Sequence, residues 1–198
     1  MFVIDSLLRL NADPTSFFSG AINPNRLGLS GHSFGGHTAL RVSAVDPRVI
    51  AGLVLAPGAP ALSLVTKIHI PMMAQGGTED SITRFEATAR PVYTVLHAPK
   101  YLGEILHTGH SAFFDELCYP TVPTLPARTP WCDAAGPDAL TADSAHQFIL
   151  RYAAPFLLHW VAGDSRFDAF LAPDAAPPGV IFTVDTTGSS TSTPTPTP

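Results

Sequence analysis

Apolar positions along the chain fall into helix-like and strand-like patterns in alternation. Phe2 to Leu10 carries apolar residues at 3, 4, 7, 8 and 10, the spacing of one helical face, and predicts a short helix ending before Asp13-Pro14. Asn23-Pro24-Asn25 reads as a turn. Leu27 to Gly31 then predicts a short strand, and His37 to Ala44 a helix that Asp46-Pro47 breaks. Val49 to Ala56 (VIAGLVLA) is a continuous apolar run, which suits a strand buried on both faces. Ile68 to Ala74 predicts a third strand, with Pro71 tolerable only near an end or edge. Ile82 to Leu96 is a helix candidate interrupted by Pro91, and Tyr101 to Leu106 a fourth strand. Ala145, Phe148, Ile149, Tyr152, Phe156 and Trp160 share one helical face, so a C-terminal helix should cover the sheet, with Pro155 kinking or splitting it. This alternation predicts an α/β fold, a mostly parallel sheet flanked by helices.

Composition supports one globular unit. The 198 residues are 45% hydrophobic and 14% charged, with a formal net charge of −5. That balance, without any dense Lys/Arg run, argues against a nucleic-acid or anionic-membrane partner. No stretch approaches the roughly 18 apolar residues of a transmembrane segment. The first residues lack the basic and apolar regions of a signal peptide. Residues 118 to 139 read as a Pro-rich loop holding the two cysteines, Cys118 and Cys132. They are either free thiols or a loop-closing disulfide, which in an oxidising compartment contributes about 3 kcal/mol. From Thr186 the chain reads TTGSSTSTPTPTP, a composition that cannot pack. The expected organisation is a domain over 1–185 and a disordered tail over 186–198. Tails of this kind, and paired-cysteine loops, are commoner in exported proteins.

Chemistry enters at Gly31-His32-Ser33-Phe34-Gly35-Gly36. A serine hydroxyl is a poor nucleophile unless a base takes its proton and the oxygen stands clear of the backbone. A strained strand–Ser–helix turn presents it so, and needs small residues two before and two after, because strand and helix nearly touch there. Gly31 and Gly35 meet that need. The N–H of Phe34, opening the helix, is then placed to donate to an oxyanion. His32 is expected to point away from Ser33 into the sheet as a structural histidine. In such a fold the acid and base sit after later strands, in the order Ser, acid, His. The loop after the third strand offers Glu79 and Asp80; the loop after the fourth offers His107 and His110.

Three segments, RLGLSGHSFGGHTAL, MMAQGGTEDSITRF and PKYLGEILHTGHSAFFD, resemble the α/β-hydrolase superfamily. The likeness is to bacterial relatives of platelet-activating-factor acetylhydrolase and predicted dienelactone hydrolases, with polyester-cleaving cutinases more distant. The resemblance implies Asp80 as the acid of a G-T-x-D pattern and His110 as the base of a Gly-His segment followed by Phe113 and Phe114. Arg84 stands where that pattern usually has Pro. The implied activity is a serine esterase acting through Ser33, Asp80 and His110, with no metal or cofactor, on a small-molecule or lipid-like short-acyl ester. Polyester or lactone hydrolysis on the same residues is the alternative. Members of the superfamily carry strands before the elbow that have no counterpart in the 32 residues preceding Ser33. The resemblance therefore implies an α/β-hydrolase fold lacking its N-terminal strands. It also implies no assignable second oxyanion donor and an exposed elbow-strand edge open to self-association. On that account an inactive truncated hydrolase fragment is a further alternative.

Overall fold

The computed structural model describes residues 2–113 and 140–187. Four strands run parallel and neighbour one another in chain order: β1 (Leu27–His32), β2 (Val49–Leu55), β3 (Met72–Gly77) and β4 (Lys100–Ile105). β5 (Val180–Asp185) closes the sheet antiparallel to β4. Among the described residues β1 is an outer strand, paired only with β2.

Strand residues point alternately to two faces, and each face buries its own core. On one side Val54, Met72, Ala74 and Leu102 pack with Leu40 of α2 (Phe34–Ser43) and Val92 of α4 (Ala89–Val95), and with Val65 of the short α3 (Leu62–Val65). On the other, Ala51, Leu53, Met73, Tyr101 and Phe182 pack under Tyr152 and Phe156 of α5 (Ala142–Leu157). β2 is buried almost throughout, as its unbroken apolar run requires. The architecture is that of an α/β-hydrolase-like fold.

Several boundaries differ from the sequence expectation. β3 begins at Met72, after Pro71, not at Ile68. Proline has no N–H for a ladder, but its carbonyl still accepts from the Gly52 N–H (3.0 Å). Ile68 is buried instead beside α3. Gln75, Gly76 and Gly77, expected in a loop, complete the strand and are all buried. The expected helix over 82–96 forms only from Ala89, where Pro91 lies in the first turn and has no intrahelical N–H bond to lose. α5 runs unbroken through Pro155 to Leu157 and then widens into one π turn, Leu158–Ala162. A proline inside a helix costs about 3 kcal/mol. Burying side chains such as Ile149, Tyr152 and Phe156 yields roughly 1.5–3 kcal/mol each, so packing outweighs the break. α1 (Phe2–Ala12) forms as expected, yet none of its residues is buried. It is tethered through Asp5 to Arg48 (2.7 Å) and through Asn11 to the backbone of Ile22. Among the described residues no helix is long and apolar enough to cross a membrane.

Candidate active site

The parallel strands put their carboxyl ends along one edge of the sheet. Ser33 follows β1, Asp80 follows β3 and His110 follows β4. Ser33 has φ 54° and ψ −118°, a left-handed conformation that costs a non-glycine residue on the order of 1–3 kcal/mol. Its backbone is held from three sides. The N–H donates to the Leu55 carbonyl (2.9 Å), and the Ser33 carbonyl accepts from the N–H groups of Gly58 (2.9 Å) and His37 (3.1 Å).

A Cβ on Gly31 would lie 2.3 Å from the carbonyl carbon and oxygen of Gly35, so the strand and helix backbones do touch there. The second close approach is at Gly36, whose Cβ would meet the Gly31 oxygen at 3.0 Å and Pro57 at 3.1 Å. Gly35 itself has open space where a Cβ would go, which corrects the expectation that its lack of a side chain is sterically required. Phe34 is the first residue of α2. An N–H at that position has no intrahelical acceptor and points out of the helix end.

Asp80 and His110 are buried and joined by a 2.7 Å contact between Nδ1 of the imidazole and Oδ2 of the carboxylate. The other carboxylate oxygen, Oδ1, accepts the backbone N–H groups of Ile82 (2.9 Å) and Thr83 (2.8 Å). Burial pushes the Asp80 carboxyl up, but the hydrogen bonds from His110 and Thr83 and the His110 charge outweigh it and hold the group below its ordinary value. The loops carrying the pair are stitched together. The Thr108 carbonyl accepts from the Glu79 N–H (3.0 Å), and Thr78 Oγ1 accepts from the His107 N–H (2.9 Å). Of the alternatives left open by position, Glu79 is only partly buried, and His107 is exposed with a left-handed φ of 53°.

Two residues at this site escaped the sequence reading. Thr83 is buried with its hydroxyl against Asp80 and His110 together, 2.8 Å from Asp80 Oδ2 and 3.0 Å from His110 Nδ1. The Asp-Ser-Ile-Thr order carries the signal for it, since an Asx turn returns a hydroxyl three residues on to the carboxylate that caps it. His32 does not point away into the sheet. Its ring lies 4.5 Å from that of His110 and stacks on Phe113 at 5.6 Å, between centroids. The elbow and the Asp80–His110 pair therefore share one location. Phe114, Cys118 and Cys132, and most of the expected tail, lie outside the described residues.

Burial is the main cause that lowers the His32 imidazole to about 4, with the His110 charge adding to it and Asp80 opposing. Between that value and the ordinary 6.5 the unfolded chain binds more protons than the folded one, so stability rises with pH across this window. At 1.36 kcal/mol per unit, the contribution lost on falling from pH 6.5 to 4 is at most about 3 kcal/mol. Asp80, depressed below its ordinary 3.8, adds a further loss at still lower pH. We expect unfolding free energies from urea titration to fall between neutral pH and pH 4, and His32→Phe to flatten that slope. An unchanged slope in the variant would exclude His32 as its source.

Comparison with known proteins decides the family. A family model described as "PETase: PET hydrolase-like" matches residues 1–122. The chain belongs to the PET hydrolase-like family. The match spans the elbow, the Asp80 turn and the His110 segment, and with it the α/β-hydrolase superfamily and a hydrolase acting on ester bonds. The narrower likeness to platelet-activating-factor acetylhydrolase and dienelactone hydrolases is not what the match names. No curated protein matches this PET hydrolase-like chain.

Proposed function

We propose that the chain is a serine hydrolase of carboxylic esters, with polyester esters its substrate class. Ser33 Oγ attacks the acyl carbon while His110 takes its proton. Asp80 accepts from Nδ1, fixes the tautomer and stabilises the imidazolium as it forms. The Phe34 N–H donates to the oxyanion. As the tetrahedral intermediate collapses, the alcohol leaves with the proton from His110. Water then attacks the acyl-enzyme with His110 again as base, releasing the acid and restoring Ser33.

The observation that carries the reading is the buried 2.7 Å Asp80–His110 contact beside a left-handed serine. Family membership supports polyesters over other esters. A second reading, a short-acyl or lipid-like ester, draws on Phe34, which is 78% exposed beside Ser33, and on half-buried Phe113. Both offer apolar surface to a flexible acyl or alcohol chain. Substrate profiling separates the two: release of soluble acid from an aromatic polyester film, against hydrolysis of p-nitrophenyl acetate and an acetylated phospholipid. We expect film hydrolysis together with p-nitrophenyl acetate turnover. Turnover of the phospholipid alone would replace the polyester reading with the lipid one, and no turnover of any would favour a non-catalytic chain.

A further inference from the structure

We propose that Thr83 is a positioning residue for ester hydrolysis, its hydroxyl holding Asp80 and His110 in register and giving His110 a second acceptor when its ring becomes charged. The inference rests on the roles given to Ser33, Asp80 and His110 above. Thr83 Oγ1 has three polar neighbours: Asp80 Oδ2 at 2.8 Å, His110 Nδ1 at 3.0 Å and the Ala56 carbonyl oxygen at 3.0 Å. Thr83, Asp80, His110 and Ala56 are all buried, so solvent does not compete for these contacts.

A hydroxyl has one proton to give and two lone pairs to offer. Two arrangements satisfy the cluster. In the first, the Thr83 proton goes to Asp80 Oδ2, which also accepts from His110 Nδ1, and the Ala56 carbonyl goes without it. In the second, the proton turns to the Ala56 carbonyl, and a lone pair of Oγ1 faces the Nδ1–H. The first suits a neutral His110, because the carboxylate is then the strongest acceptor in reach. The second suits a His110 carrying two protons, because Nδ1–H is then a stronger donor and gains a second acceptor beside the carboxylate. Rotation about one bond converts one into the other, with no proton changing owner.

Geometry also ties the hydroxyl to three chain segments at once. Ala56 follows β2 with a left-handed φ of 41°, Asp80 follows β3, and His110 follows β4. Thr83 thereby couples the turn that supports Ser33, through the Leu55 and Gly58 contacts, to the acid and the base. Among the described residues, the other titratable group against His110 is His32, at the end of β1.

The test compares Thr83→Val and Thr83→Ser with the parent, and Thr83→Ala with Thr83→Ser. Thr83→Val against the parent isolates the hydroxyl at constant shape, Thr83→Ser against Thr83→Ala isolates it at nearly constant cavity, and Thr83→Ser against the parent isolates the methyl. With p-nitrophenyl acetate, Thr83→Val should lower kcat by about tenfold, the size of a lost hydrogen bond to a charged group, and leave KM within about twofold. The acid limb of the kcat/KM profile should move from the parent's position, since the hydroxyl contacts both members of the Asp80–His110 pair. Thr83→Ser should restore both. Should Thr83→Val fail to fold, the same differences are expected between Thr83→Ser and Thr83→Ala. A kcat within about twofold of the parent with an unmoved acid limb overturns the proposal, as does a Thr83→Ser variant no faster than Thr83→Ala. Fluorophosphonate labelling run alongside keeps the two levels apart. If Ser33→Ala still labels and hydrolyses, the reading of the site fails and takes this proposal with it. If labelling requires Ser33 while Thr83→Val behaves as the parent, only the role of Thr83 is lost.

Discussion

Replacing Ser33 with Ala should cut kcat for ester hydrolysis by about 10⁴-fold or more, leaving only what binding and the oxyanion donor supply. The variant should also lose fluorophosphonate labelling. The size follows from the proposed division of labour: with no hydroxyl at the elbow, His110 would have nothing to activate and no acyl-enzyme would form. Asp80→Asn should come close to it. An amide at 80 keeps the shape but replaces an acceptor with an ambiguous donor, which favours the wrong tautomer of His110 at the 2.7 Å contact. Replacing a triad aspartate with asparagine can cost roughly 10⁴-fold in kcat from that cause. In the proposed mechanism the three side chains act as one unit, so their losses should not add. Ser33→Ala combined with His110→Ala should be no slower than Ser33→Ala alone. An Asp80→Asn variant at parental kcat, or a double variant far below both single ones, would sink the assignment.

The elbow was legible because its requirement is local. A Cβ at Gly31 would strike the backbone of Gly35 four residues on, so the constraint is written within one short run. The placing of Ser33, Asp80 and His110 after β1, β3 and β4 was legible for a different reason: parallel strands joined in chain order deliver successive loops to one edge of the sheet. What escaped depended on contacts between distant segments. Nothing near Thr83 in sequence announces the Ala56 carbonyl, 27 residues earlier. The place of His32 was misjudged by carrying strand alternation one residue too far. Ser33 is no longer strand; its φ of 54° breaks the two-residue period, and His32 ends beside His110. The start of β3 was misread because apolar residues at 68 and 70 continue its pattern, although Pro71 stands between. β5 went unread, though Val180 and Phe182 are buried and Ile181 and Thr183 exposed, the alternation of a strand covered on one face.

Gly77→Ala should be the most destabilising single-methyl change among the described glycines, and it tests the scaffold rather than the chemistry. Gly77 ends β3, and a Cβ there would lie 1.9 Å from the Thr108 carbonyl oxygen and 2.6 Å from its carbon. No rotamer relieves such a clash, because both partners are backbone. Thr108 cannot simply retreat: its carbonyl accepts from the Glu79 N–H at 3.0 Å, and this is the stitch that sets the Asp80 loop against the His110 loop. Overpacking commonly costs 1–3 kcal/mol and sometimes more. With two backbones in contact we expect about 3 kcal/mol or above, which in a chain of this size lowers Tm by roughly 6–12 °C. Gly35→Ala is the control. It sits in a helix with open space at its Cβ, where alanine is favoured over glycine by roughly 0.5–1 kcal/mol. Its Tm should hold or rise. Because the methyl at 77 also forces the two loops apart, Gly77→Ala should lose activity well below its own Tm, through a displaced Asp80–His110 pair. Thermal unfolding of the two variants beside the parent, with p-nitrophenyl acetate hydrolysis on the folded side of each transition, checks both parts. Equal Tm values for Gly77→Ala and Gly35→Ala would mean the β3 and β4 loops have more freedom than a 1.9 Å approach permits.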